Sequence, residues 1–408
     1  MGFGEAGAYF SQVVGKRLSA VDVDGRISHQ HELGGFSALR PFLGEDDRRI
    51  SEGKGIPATY TYLSDEGAVS VESATSWYDP RRRDPSRGPE WRLYYPDVPP
   101  VSMCRAGDLA AVAVRRDGGL SFVFAEAGSD AESQVAWLLG IGGGRVMAPS
   151  EDLGRPVSAL SVDLLRDMGV EPEAPAEDRW IGEMFRRWPD RFPSGREFSA
   201  FAREASGADM REVGPDEAVT AWYDEQTALF MGYERRDREA RLGPLVTDVG
   251  EPDYDSILAV SMSIFQRRRS AAGHALEYHL EHVFSQMGIR FKAQAVTEGR
   301  KRPDFLFPSE EAYRDPSFPA ASLTMLGAKT TSKDRWRQIL GEADRVGRKH
   351  LVTLEQAITE AQTDEMAADD VQLVVPTPLQ ASYTDAQRAR LWSLGDFCGH
   401  VLRLQEAV

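Results

Sequence analysis

Five short apolar runs lie between residues 291 and 376: "FKAQAV" (291–296), "DFLFP" (304–308), "LTMLGAK" (323–329), "HLVTL" (350–354) and "VQLVVP" (371–376). Each is too short for a helix and has the length of a buried strand. Between the third and fourth runs, "KDRWRQILGEADRVG" reads as a helix. It sets Trp336, Ile339, Leu340 and Ala343 on one face and Arg335, Gln338, Glu342 and Arg345 on another. Upstream, "DSILAVSMSIFQRRRSAAGHALEYHLEHVFSQMG" (255–288) holds one or two helices, with an apolar stripe of Leu276, Leu280, Val283, Phe284 and Met287 closed by Gly288. The order α-β-β-β-α-β, then α-β, limits this half of the chain to an α/β core with helices on both faces.

The charges at the ends of these runs carry the chemistry. Asp304 opens one run and Lys329 closes its neighbour. Burying charge beside a strand core is costly unless something compensates it. If the two strands pair, Asp304 and Lys329 meet at the sheet edge, and the following helix can bring Glu342 to them. Glu277, on the preceding helix, is the fourth candidate. Carboxylates with one lysine form a plausible Mg²⁺ site for phosphodiester hydrolysis: Asp304 and Glu342 supply hard oxygen ligands, and the ion keeps several waters. Such an ion activates water and neutralises developing charge, while the lysine meets the water or the phosphate as a point charge. An acid two positions before the lysine would be usual in such sites; Gly327 stands there, so Glu342 has to take its place. Lys333 is a cation at a helix start, which is unfavourable without an anion and fits a phosphate contact. Between Lys329 and Lys349 there are seven basic residues against three acidic ones. Arg335 and Arg337 among them suit a nucleic-acid backbone. His279 and His282 lack a third ligand and read as packing residues, as does His350.

The first 165 residues have a different texture. Runs such as "ATYTYL" (58–63), "LAAVAV" (109–114) and "LSFVFAEA" (120–127) are rich in β-branched and aromatic residues, and "RRDGG" (115–119) is a hairpin turn. They predict a sheet closed into a barrel or sandwich. "MGVEPEAPAED" (168–178) reads as linker. The expected division is therefore a domain at 1–165, a linker at 166–182 and an α/β domain at 183–408, with a long helix at 215–242. The net charge of −16 argues against indiscriminate polyanion binding. Yet "RRRDPSRGPEWR" (81–92) has five arginines against two acids, interleaved with Tyr78, Trp91 and Tyr94, and "QRRRS" (266–270) adds three more. Local basic patches on an acidic chain suit binding of DNA at chosen surfaces. Two cysteines exclude a disulfide framework or a Cys-rich zinc site. With no run of the roughly 20 apolar residues that span a bilayer and no secretory pattern at the start, the expectation is a cytoplasmic protein without a membrane partner.

The stretches "RRRSAAGHALEYHLEHVF", "AVTEGRKRPDFLFP" and "MLGAKTTSKDRWRQILGEADR", with "HLVTL" and "LVVP", resemble the catalytic domain of the EcoRII-type restriction endonucleases. "RFPSG" (191–195) extends the resemblance upstream, and "KRLSA" (16–20), "HQ" (29–30) and "EWRLYY" (90–95) extend it, more loosely, over nearly the whole chain. It implies a PD-(D/E)XK-like core, a mixed sheet flanked by helices, in which the helix supplies the missing acid at the spacing seen between Lys329 and Glu342. It implies a B3-like N-terminal pseudobarrel that binds a second copy of the DNA site through His29, Arg87 and Arg92 and occludes the catalytic cleft until it does so. In that family the region of Arg267, Arg268 and Arg269 reads C·G pairs, which implies a CC/GG-flanked target such as CCWGG or CCNGG. "TAWYDEQTA" (220–228) departs from the family stretch that handles the central base pair. Double-stranded DNA at two sites, a homodimer and a cognate DNA methyltransferase are the implied partners. Two alternatives stay open: a DNA reader with an inactive nuclease core, or a same-fold nuclease directed at modified DNA.

Overall fold

The computed structural model describes residues 3–23, 32–33, 36–82, 86, 88–141, 148–149, 153–172, 178–247, 262, 274–330 and 333–407. The chain separates into two compact units. One is Gly4–Glu173 with Ala357–Thr359; the other is Ala174–Gln356 and Glu360–Val408 with Met1–Phe3. No described helix is long and apolar enough to cross a membrane. The helix Asp178–Arg187 begins inside the stretch read as linker.

The first unit holds strands β1 (Phe10–Arg17), β2 (Glu32–Leu33), β3 (Ile56–Ser64), β4 (Gly67–Tyr78), β5 (Arg92–Tyr94), β6 (Leu109–Arg115), β7 (Leu120–Ala125) and β8 (Ala148–Pro149). They form one sheet in the order β2-β5-β4-β3-β7-β6-β1-β8. β3 and β7 run parallel; every other neighbouring pair is antiparallel. Among the described residues β2 and β8 stand at the two ends of this order and are not paired with each other. The turn at 115–119 forms as read: Gly118 takes φ +85°, and the Asp117 carboxylate accepts the Gly119 N–H at 2.8 Å. The core contains Tyr60 stacked on Phe122 at 4.5 Å and the fully buried Trp77.

The second unit pairs a helical layer with a five-stranded mixed sheet. The helix Gly195–Ser206 starts with a capping box between Ser194 and Glu197. The long helix runs Pro215–Thr247, five residues beyond the expected end. Of the 255–288 region, residues 262 and 274–288 are described and hold the helix Ala275–Gln286, which buries Leu276, Leu280, Val283 and Phe284. The strands of its sheet are β9 (Lys292–Ala293), β10 (Phe305–Phe307), β11 (Thr324–Lys329), β12 (Lys349–Thr353) and β13 (Val371–Val374). They lie in the order β13-β12-β11-β10-β9. β9, β10 and β11 are antiparallel, and β11, β12 and β13 are parallel. Phe284 meets Phe291, Phe305 and Phe307 at centroid distances of 5.2–5.6 Å, so the helix and the sheet share one aromatic core.

Two local expectations need correction. Residues 333–341 form a 3₁₀ segment, Lys333–Gly341, and Glu342 and Arg345 lie beyond it rather than inside a helix. The chain turns there because Ala343 takes φ +50° and Lys349 gathers the carbonyls of the turn. The run 291–296 is strand only at Lys292–Ala293, because Gln294 enters the left-handed region at φ +51°.

Candidate active site

The site is built at the junction of β10 and β11. Their register sets Phe305 opposite Leu326, which puts Asp304 across from Gly327 and beside the end of β11. Its Oδ2 accepts the Ala328 N–H at 2.8 Å and the Lys329 ammonium at 2.8 Å. The Asp304 side chain is nearly buried and that of Lys329 about a quarter exposed. The pair predicted to meet at the sheet edge does so.

Gly327 fills the position where an acid would be usual, and packing explains it. A Cβ there would come within 2.7 Å of Ile339 Cγ2 and 3.6 Å of Leu351 Cδ1. Ile339, fully buried from the 3₁₀ segment, occupies the space a carboxylate would need. The same segment carries the chain to Glu342 three residues later, where the Glu342 N–H donates to the Ile339 carbonyl at 3.0 Å. Burial and the Asp304 charge push the Glu342 carboxyl up to about 7, against the opposing pull of Lys329, Lys349 and Lys301. Glu277 is raised as well, by burial and then by Asp304, with Gln294, His274 and Lys329 pulling the other way. Both glutamates therefore sense Asp304 as a like charge, and Lys329 offsets only part of it.

Three residues that the sequence reading passed over hold this cluster. Gln294 Nε2 donates to Glu277 Oε2 at 3.0 Å and to Asp304 Oδ1 at 3.2 Å. Lys349, 6% exposed, donates to the carbonyls of Glu342, Ala343 and Val346 at 2.6, 2.6 and 2.8 Å. Lys301 donates to the Gly341 carbonyl. Lys349 had the same signature as Asp304, a charge heading an apolar strand; Gln294 was visible only as a polar residue interrupting one.

The other candidates divide cleanly. Lys333 and Arg335 have their backbone in the 3₁₀ segment, while their side chains lie outside the described set. Arg337 is exposed, pairs with Glu365 at 2.6 Å and lies over Trp336 at 4.8 Å. Arg92, on β5, pairs with Glu90 at 2.9 Å. His29, Arg87, Arg267, Arg268 and Arg269 lie outside the described residues. His279 is buried, with Arg203 at 3.2 Å from its Nδ1, and His350 packs against Trp392, Phe397 and His400; both are packing residues, as read. Among the described residues no three His, Cys, Asp or Glu side chains form a ready-made metal cage. The donor set suits an ion that needs few protein ligands: crowded carboxylate oxygens, mutually repelling and incompletely neutralised, fit a hard divalent cation that keeps most of its waters.

A family model described as EcoRII C terminal spans the whole of this site. Residues 230–398 match it. The chain is also 39% identical over 252 residues to the type II restriction enzyme EcoRII of Escherichia coli, covering 62% of this chain and 60% of that enzyme. The chain thus spans about three fifths of that relative's length. Two solved structures of metal-depleted Ecl18kI with uncleaved DNA, modified in one of them, are 20% and 17% identical to the chain. Each covers 56% of this chain and 85% of its own, with TM-scores of 0.44 and 0.40. The resemblance is to the EcoRII-type restriction endonucleases.

Proposed function

We propose that this chain is a type II restriction endonuclease that hydrolyses phosphodiester bonds of double-stranded DNA at a specific site with Mg²⁺. One observation carries the reading. The carboxylate of Asp304 is bonded to Lys329 Nζ beside two glutamates whose ionisation is suppressed first by burial and then by Asp304, within the segment that matches the EcoRII C-terminal family. Asp304 and Glu342 would hold the cation, which, when bound, activates a water and neutralises charge on the phosphorane. Lys329, fixed by Oδ2 of Asp304, keeps hydrogens to donate to that water or to a phosphate oxygen. Lys333, Arg335 and Arg337 are assigned to the DNA backbone, and Glu277 supports the carboxylate cluster.

The target is proposed to be CC/GG-flanked, of the CCWGG or CCNGG kind, with Arg267, Arg268 and Arg269 reading guanines in the major groove by bidentate contacts. We assign the N-terminal unit, as a B3-like module, to a second copy of the site through His29, Arg87 and Arg92, with release of autoinhibition as the consequence. Two-fold symmetric targets suit a homodimer. A cognate methyltransferase and a cytoplasmic setting complete the reading.

The test is Lys329→Ala. Plasmid incubated with Mg²⁺ and the native protein should give discrete bands whose sequenced ends share one site. The variant should bind that duplex within about twofold of native and cut it at least about a thousandfold more slowly. Retained cleavage by the variant removes Lys329 from the mechanism, and random smears from the native protein remove site specificity.

A further inference from the structure

Gln294 stands between two carboxylates that would otherwise face one another. Its backbone is left-handed at φ +51°, and its N–H donates to the Asp304 carbonyl at 3.0 Å, which ties it to the strand that Asp304 opens. From that anchor one amide nitrogen serves both acids, Glu277 Oε2 at 3.0 Å and Asp304 Oδ1 at 3.2 Å. An amide NH₂ has two hydrogens, and each is committed to a different carboxylate. The reversed amide would aim its oxygen at two acceptors, so the chemistry fixes its orientation. A glutamate there would place a third negative group between the two, and an apolar residue would withdraw the shared donor from both oxygens. Asp304 Oδ2 is engaged by Ala328 and Lys329 on its other side. Gln294 is thus the group that sets where Oδ1 sits relative to Glu277.

We propose that Gln294 is a positioning residue that fixes the separation of Glu277 and Asp304 and thereby sets the affinity of the acidic cluster for a divalent cation. This rests on the nuclease reading for the identity of the cluster, but not for the effect on cation binding. Residues that orient metal ligands typically alter metal affinity or activity by about 10–100-fold when replaced.

Two full-length variants test it: Gln294→Met keeps the shape and removes both donors, and Gln294→Glu keeps the shape and adds charge. Each is melted in EDTA and in excess Mg²⁺, its duplex affinity is measured in EDTA, and its cleavage is followed across Mg²⁺ concentrations. Gln294→Met should raise the Mg²⁺ concentration for half-maximal cleavage about tenfold while keeping duplex affinity in EDTA. Gln294→Glu should melt below the native chain in EDTA and recover most of that deficit in Mg²⁺, since a cation relieves the added repulsion. A Gln294→Glu deficit that Mg²⁺ leaves unchanged, or a native Mg²⁺ requirement in Gln294→Met, overturns the proposal. Should the native chain cut no DNA, the nuclease reading fails, and the melting comparison alone still decides the role of Gln294.

Discussion

Two charge clusters, one in each unit, are handled in opposite ways. In the N-terminal unit the nearly buried Lys16 meets Asp22 at 2.6 Å, and the Asp22 carboxylate also accepts from Ser19. Burial pushes Asp22 up, but the bonds from Lys16 and Ser19 outweigh it and leave the carboxyl below its usual value. The arginine-rich stretch is paired in the same manner: Arg81 and Arg92 with Glu90, and Arg82 with Asp47. At the β10–β11 junction the signs reverse. Glu342 and Glu277 are raised by burial and then by Asp304, and the nearby lysines offset only part of that. The difference separates ion pairs that neutralise one another from a cluster of like charges that lysine neutralises only in part.

Lys349 offers the largest break in that contrast, because it is a buried cation that holds the turn beside the acidic cluster. Its ammonium satisfies three carbonyls of the turn that presents Glu342. Lys349→Met leaves these acceptors without their donor and should destabilise the chain by about 3 kcal/mol. A displacement of Glu342 on the order of 1 Å should slow cleavage about 100-fold. Urea unfolding and single-turnover cleavage measure the two effects. Native cleavage in a destabilised variant would show that the turn does not place Glu342.

The effect expected from separating the units is smaller. A fragment that begins near residue 183, within the helix Asp178–Arg187, keeps the whole acidic cluster and drops the paired charges of the N-terminal unit. If that unit holds the other in check, the fragment should cut DNA bearing a single site about tenfold faster than the full chain, in the range of ordinary coupling energies. Equal rates would confine the N-terminal unit to binding.

The sequence made Asp304 and Lys329 legible because a charge at the end of an apolar strand has few structural reasons to be there. The succession of strands along the chain was legible because short apolar runs leave little choice of element. Glu342 was placed correctly near the pair but in the wrong element, because apolar spacing in "WRQILGEA" cannot distinguish an α-helix from a 3₁₀ segment that ends at Gly341. The reason for Gly327 was hidden, since the crowding by Ile339 exists only once the segment folds over β11. Gln294 was hidden more deeply. A left-handed glutamine leaves no pattern in the sequence, and its two bonds join residues seventeen and ten positions away.

The smallest predicted effect tests the sign of the contrast directly. An unfolded glutamate titrates near 4.5, and Glu342 is raised to about 7. A raised carboxyl binds its proton more tightly in the folded state, so its contribution is fully present below about pH 4.5 and is lost as pH rises through 7. For a fully buried group that shift would be worth about 3 kcal/mol; half-buried Glu342 is discounted to about 1–2 kcal/mol. Glu342→Gln, which cannot ionise, should therefore melt about 4 °C above the native chain near pH 8.5 in EDTA and close to it near pH 5. Asp22 is lowered, so its contribution is present above its usual value of 3.8 and lost in acid. Asp22→Asn should accordingly show its deficit at neutral pH and shed it as pH falls, the reverse of the Glu342→Gln profile. Parallel melting profiles for the two variants would mean that the glutamate and the aspartate are both ordinary structural acids, with no cation wanting at the sheet edge.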